Sequence, residues 1–73
     1  DAVHATATAV PGVENTEKCR IRKSGIDLFI EMHVRVKSSL TVGEGHDIGH
    51  RVKRALIAAS PNVKDVVVHI EPA

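Results

Sequence analysis

The sequence predicts an α+β protein, an open two-layer sandwich with the element order α-β-β-α-β. Three observations support this prediction: apolar and polar residues alternate through positions 26–37, a capping box opens a helical pattern at Thr41, and a second alternating run begins at Val63. Two parallel strands joined through a helix form a right-handed crossover, which places the helix on one face of the sheet. The other face should therefore remain open.

The first helix is predicted from Ala2 to Val10, with Asp1 as its N-cap. Its apolar face consists of Val3, Ala7 and Val10. Pro11-Gly12 ends it, because proline cannot continue a helix and glycine relaxes the turn. A charged strand should follow from Val13 to Lys23, and Ser24-Gly25 or the residues just after it should form a hairpin turn.

The second strand, from Ile26 to Lys37, has the clearest pattern of the chain. Its apolar side consists of Leu28, Ile30, Met32, Val34 and Val36. Its polar side consists of Phe29, Glu31, His33, Arg35 and Lys37. Since successive side chains of a strand point to opposite faces, the apolar side should face the helices and the polar side the open surface.

The second helix should begin after Thr41, which with Glu44 forms a capping box, and run to about Ala59. Its apolar stripe consists of Ile48, Val52, Ala55, Leu56 and Ala59. Pro61-Asn62 stops it, and the last strand should span Val63–Ile70. The inward side of that strand consists of Val66, Val68 and Ile70. Two helices on one face of the sheet form an arrangement related to the ferredoxin-like plan.

The size of the chain limits how it can be stabilised. Its 73 residues form one domain at most, spanning 1–73. A domain this small usually needs a disulfide, a metal or a partner subunit. Cys19 is the only cysteine, so metal binding or oligomerisation remains. Cys19 alternates with Ile21 and is predicted to be a small core residue rather than a ligand.

Charge and composition exclude several classes of function. A net charge of +1 and 1% aromatic residues disfavour nucleic-acid binding. No apolar stretch approaches the length that spans a bilayer, so direct membrane insertion of these residues is not expected. No Ser/His/Asp or Cys/His constellation stands out, so an enzyme is not predicted. The chain begins at Asp1 without a methionine, and we expect it to be part of a longer protein.

Histidines and a carboxylate fall together on the open face. If the valines of both alternating strands face the helices, then His33, His69 and Glu71 all point to the other side. Imidazole nitrogens with a carboxylate suit Zn²⁺ and other borderline divalent ions. The alternative interpretation is a set of polar surface residues.

The second helix adds His46 and His50, which are four residues apart and share one helix face. Helical zinc motifs use this spacing. No Glu follows His46 in the HExxH arrangement, so a metalloprotease is not supported. A solvated helix face is the alternative interpretation of this pair.

Several motifs, in order and with matching spacing, resemble the cytosolic C-terminal domain of cation diffusion facilitators, which are divalent-metal transporters. The resemblance covers nearly the whole chain. The matching stretches are Val10-Pro11-Gly12-Val13, Arg20-Ile21-Arg22-Lys23-Ser24-Gly25, Phe29-Ile30-Glu31-Met32-His33-Val34, Gly45-His46-Asp47-Ile48 and Val68-His69-Ile70-Glu71-Pro72. The resemblance implies a metallochaperone-like fold, a V-shaped homodimer, and a location at the cytoplasmic face of a membrane as part of an integral transporter whose membrane portion is absent from these residues.

The resemblance also implies a set of metal ligands near the dimer interface, with His46 reaching from the partner protomer. The implied ligands are Glu17, His33, His46, His69 and Glu71. Two positions depart from the family pattern, because Glu17 stands where His is frequent and Glu71 where Asp is frequent. By the alternation of side chains along its strand, Glu17 should also point away from the open face unless a bulge intervenes. Zn²⁺ is the expected ion, with Fe²⁺ and Mn²⁺ as alternatives for a carboxylate-rich set.

The function that the resemblance implies is that of a metal-sensing, dimerising regulatory domain, in which metal at the dimer interface closes the V and regulates transport. Two alternatives stay open at this stage. One is a ferredoxin-like regulatory module that binds a small molecule such as an amino acid, and the other is a passive dimerisation domain.

Overall fold

A computed structural model describes residues 2–73, and its element order is the predicted one. The elements are α1 (Ala2–Thr8), β1 (Asn15–Ser24), β2 (Asp27–Val36), α2 (Val42–Ala59) and β3 (Val63–Pro72). The predicted N-cap, Asp1, lies outside the described residues. α1 ends earlier than predicted, because the N–H of Val10 donates to the carbonyl of Ala7, three residues back, and the chain tightens into a turn.

The sheet has three strands in the order β1-β2-β3. β1 pairs antiparallel with β2, and the hairpin turn lies at Gly25 and Ile26. β2 pairs parallel with β3, as two strands joined through α2 should. β3 continues to Pro72 rather than ending at Ile70, which keeps Glu71 in the ladder, directly opposite Arg35.

The core lies between one face of the sheet and both helices. It consists of Ala7, Val10, Ile30, Met32, Val34, Val36, Ile48, Val52, Leu56, Val63 and Val66. The predicted inward side of β2 is therefore confirmed, with Leu28 packed at its margin. The predicted stripe of α2 is also confirmed except at Ala59, which is exposed because the helix ends there. Among residues 2–73, no element covers the opposite face of the sheet.

The capping box at the start of α2 is present in full. The hydroxyl of Thr41 accepts a hydrogen bond from the N–H of Glu44 (3.1 Å), and the Glu44 carboxylate accepts one from the N–H of Thr41 (2.8 Å). The pKa of Glu44 lies below its usual range. The larger cause is the hydrogen bond from the Thr41 N–H, and the smaller is the contact with the Thr41 side chain. Two donors that the helix leaves unpaired are thus satisfied.

A bulge in β1 changes which residues face the core. The register shifts between Glu17 and Arg20, and Lys18 takes a positive φ of 50°. Lys18 and Cys19 together stand opposite Met32, so the alternation of β1 is inverted on the N-terminal side of the bulge. The prediction that Cys19 is a core residue is wrong, because Cys19 lies in the bulge of an edge strand and is exposed.

Among residues 2–73, no helix is both long and apolar enough to cross a membrane.

Candidate metal centre on the open sheet face

The strand register aligns three of the predicted ligands in one row. Glu17 of β1 lies opposite His33 of β2, and His33 lies opposite His69 of β3. Glu71, two residues after His69, shares its face and belongs to the next row. The bulge in β1 is what places Glu17 on this side. We call Glu17, His33, His69 and Glu71 the open-face cluster.

The two histidines of the open-face cluster contact each other directly. Their rings stack with centroids 4.7 Å apart and planes inclined by 25°. His33 Nδ1 lies 3.3 Å from Glu71 Oε2, and both side chains are half-buried. Facing residues in neighbouring strands come this close because adjacent strands are only about 4.8 Å apart.

Arg35, which the sequence analysis did not include in the site, joins the two carboxylates of the cluster. Its Nη2 donates to Glu17 Oε2 at 3.0 Å, and its Nε lies 3.5 Å from Glu71 Oε1 without a hydrogen bond. The alternation of β2 had placed Arg35 on the open face. Its position one row beyond His33, between Glu17 of β1 and Glu71 of β3, follows only from the register of the three strands.

Glu31 is a second neighbour that sequence reasoning missed. Its Oε2 lies 2.8 Å from His69 Nε2, although the two residues are not directly opposite in the ladder. The contact is diagonal, which a long carboxylate side chain can reach. The hydrogen bond with His69 holds the pKa of Glu31 below its usual range.

The electrostatics of the cluster favour ionised carboxylates. Partial burial tends to raise the pKa of Glu71, but the hydrogen bond from His33, together with the charges of His33 and Lys18 and a contact with Arg35, lowers it on balance. Glu71 and Glu31 are therefore anionic at neutral pH and available as oxygen donors. Glu71 and Glu31 are each already paired with a side chain of the same protomer, so a cation that binds them must compete with that partner.

His46 stands apart from the strand ligands. It is exposed on α2, where its closest side-chain partner is His50, with the two Nε2 atoms 2.8 Å apart. His46 and Glu71 nevertheless line the same groove of about 390 Å³ between α2 and β3. Within residues 2–73, no group of three or more His, Cys, Asp or Glu side chains is arranged to hold a metal ion. The five predicted ligands are thus not assembled within one protomer.

Cys19 is close to Glu17 in the sequence, but its thiol is a poor candidate for metal binding. Partial burial raises the pKa of its thiol above the usual value. The thiolate is the ligand form of cysteine, so a raised pKa weakens the case for Cys19 as a donor.

Comparison with known proteins identifies relatives over the whole chain. Residues 1–73 match the family model described as cation efflux protein, cytoplasmic domain. The chain is 30% identical to metal tolerance protein C1 of Arabidopsis thaliana over 73 residues, which are 100% of this chain and 16% of that protein. It is 32% identical to the cation-efflux pump FieF of Klebsiella pneumoniae over 66 residues, 90% of this chain and 22% of that protein. The chain therefore spans only a minor part of the length of these relatives.

Solved structures show the same fold. A substituted C-terminal domain of MamM in its cadmium form is 28% identical, with a TM-score of 0.94 over 97% of this chain and 89% of that chain. A second substituted form of that domain, the copper form, is 27% identical with the same TM-score and coverage. The predicted α+β, metallochaperone-like fold is thus confirmed.

Proposed function

Because this chain belongs to the family of cytoplasmic domains of cation efflux proteins, we propose that it is the metal-sensing, dimerising regulatory domain of a divalent-metal transporter. A divalent ion binds where the two protomers meet, draws a V-shaped dimer closed, and thereby regulates transport by the membrane portion of the parent. The observation that carries this proposal is the row formed by Glu17, His33 and His69, with Glu71 beside it on the open face.

The ion would be held by side chains of both protomers. His33, His69 and Glu71 are its ligands from the open face of one protomer, Glu17 is a further oxygen donor, and the partner's His46 completes the shell. Imidazole nitrogens with carboxylate oxygens suit Zn²⁺, and a carboxylate-rich set also admits Fe²⁺ or Mn²⁺. To bind, the ion replaces the contacts that His33 makes with Glu71 and His69 with Glu31.

The family model, which describes a dimerisation domain of cation efflux proteins, and the exposed surface of α2 both support dimerisation. Ile57, on the outward face of α2, is 39% exposed. A chain of 73 residues without a disulfide also gains stability from a partner. Sedimentation equilibrium should give a dimer at micromolar concentration. A monomer both with and without Zn²⁺ would contradict the proposal.

Closure depends on a difference in affinity between the two shapes of the dimer. A site that needs His46 of one protomer and strand ligands of the other is complete only when the protomers approach each other. Metal therefore binds the closed form more tightly, and only this difference can shift the population. A tenfold preference corresponds to about 1.4 kcal/mol, which is enough to bias a shallow two-state hinge.

The experiment is a distance measurement between spin labels on the two protomers. The label is attached through Lys64→Cys, an exposed position of β3, in a Cys19→Ser background that leaves one thiol per chain. Zn²⁺ should shorten and narrow the distance distribution. The matched control carries His33→Ala and His69→Ala as well, and should not respond to Zn²⁺.

An unchanged distribution at saturating Zn²⁺ would make the chain a passive dimerisation domain. Titration calorimetry with Zn²⁺ and with a panel of amino acids tests the other alternative. Heat from an amino acid and none from Zn²⁺ would favour a small-molecule regulatory module.

A further inference from the structure

His46 and His50 form a close pair on the exposed side of α2. They lie one helical turn apart, with ring centroids separated by 4.4 Å and planes inclined by 86°. The Nε2 atoms face each other at 2.8 Å. The residues just before them, Gly45 and Gly49, are buried against β3, where an added Cβ would come within 3.3 Å of Ile70. This close packing sets the rotation of α2 and leaves both imidazoles along a second groove between α2 and β3, which His46, His50 and Lys53 line.

The distance between the two nitrogens is close to the span of a metal chelate. A divalent ion about 2.1 Å from each nitrogen, with an angle of 90–109° between them, requires the nitrogens to lie about 3.0–3.4 Å apart. Opening the pair by about half an ångström meets this requirement, and exposed side chains make such a change by small rotations. One hydrogen bond between the rings is exchanged for two metal–nitrogen bonds.

We propose that His46 and His50 constitute a second divalent-metal site, a two-imidazole chelate on α2 that is distinct from the open-face cluster. Its ligand chemistry selects borderline cations such as Zn²⁺, Ni²⁺ or Cu²⁺, which imidazole suits, over Mg²⁺ and Ca²⁺, which prefer oxygen. Water completes the shell, because the described residues place no third His, Cys, Asp or Glu with the pair.

The neighbourhood of the pair permits a cation. Lys53, one turn further along α2, lines the same groove and would repel an ion if its charge were free. Its ammonium lies 3.2 Å from a carboxylate oxygen of Asp65 on β3. That ion pair balances the charge of Lys53 and holds the pKa of Asp65 below its usual range.

The position of His46 links the two sites, and this part of the inference rests on the proposed function. The Nε2 lone pair of His46 binds one ion at a time. The chelate of His46 and His50 can therefore form only in the open dimer. When the dimer closes, His46 becomes a ligand of the partner's open-face cluster and the chelate is lost. Because the α2 chelate is the weaker site, it fills after the open-face cluster and opposes closure only at high metal concentration.

The test is titration of the chain with Zn²⁺ by calorimetry, together with NMR of the histidine ring protons. The chain should show a tighter and a weaker class of site. His50→Gln should weaken the weaker class by at least about tenfold, because a chelate is replaced by a single imidazole, and leave the tighter class in place. Circular dichroism should be unchanged, since His50 is exposed.

A second variant separates this inference from the proposed function. His33→Ala with His69→Ala should remove the tighter class while Zn²⁺ still shifts the ring resonances of His46 and His50 together. Retention of the tighter class in that variant would overturn the open-face site and leave the α2 chelate standing. The chelate itself is refuted if His50→Gln leaves both classes unaltered, or if the resonances of His46 and His50 fail to move together.

Discussion

Arg35 and Glu17 form an ion pair across the first two strands, with Arg35 Nη2 donating to Glu17 Oε2 at 3.0 Å. The same guanidinium approaches Glu71 from the other side. Two of the carboxylates predicted to hold a metal ion therefore share a cation that belongs to their own chain. A metal ion that binds at the open-face cluster must compete with this side chain.

Removing that competitor should strengthen metal binding. We expect Arg35→Gln to raise Zn²⁺ affinity up to about fivefold, which corresponds to the roughly 1 kcal/mol of a partly exposed ion pair. Arg22→Gln is the matched control, because it removes the same charge from the same face but from a position over the Phe29 ring, away from the cluster. Calorimetry measures both. Weaker binding in Arg35→Gln than in Arg22→Gln would instead show that Arg35 orients the ligands.

The open-face histidines should be required for tight binding. His33→Ala or His69→Ala alone should weaken Zn²⁺ binding strongly, because the remaining donors cannot complete the shell. Binding should also weaken as the pH falls below neutral, since protons compete for the imidazole nitrogens. His4→Ala is the control. His4 bonds to Thr16, which faces the core side of the sheet beside Val34. If Zn²⁺ affinity is unchanged when both His33 and His69 are replaced, the ion does not bind at the open-face cluster.

The capping box should make the stability of α2 depend on pH in the acid range. The folded-state pKa of Glu44 is lowered by its hydrogen bonds with Thr41, so its contribution is fully present above its unfolded pKa of about 4.3 and is lost as the pH falls through the folded value. Urea unfolding of Glu44→Gln should lack this part of the pH dependence. If the unfolding free energy of Glu44→Gln depends on pH in the same way as that of the unaltered chain, this prediction is wrong.

Two glycines separate backbone strain from crowding. Gly12 has a φ of 96°, and a Cβ there would lie 2.6 Å from Ile48 Cδ1, whereas Gly25 has a φ of 60° and nothing within 4 Å. Gly25→Ala should cost about 1 kcal/mol from the backbone alone. Gly12→Ala should cost about 2–3 kcal/mol, because its φ lies further from the left-handed minimum and the contact with Ile48 adds to the strain. Equal losses of unfolding free energy would show that Ile48 moves aside at no cost.

Most of the fold was predictable because its signals are local. The alternation of β2 identified its buried side, and Thr41 with Glu44 marked the first turn of α2. The site was predictable only in part. His33, His69 and Glu71 were placed on one face by parity, but Arg35 and Glu31 were not recognised as their partners. Cys19 was misplaced because its alternation with Ile21 was extended to the residues where β1 bulges.

Periodicities of two and 3.6 residues can be read along the chain, and they specify the order of the elements, the buried side of each regular strand and the polar residues available on the open face. Which polar residues contact each other depends on how the strands pair in the folded chain. One additional residue in β1, at Lys18 and Cys19, moves Glu17 into the row of His33 and His69. The pairing of Arg35 with Glu17 and of His69 with Glu31 depends on strand register. Register joins residues far apart in the chain, and a single bulge changes every partner beyond it.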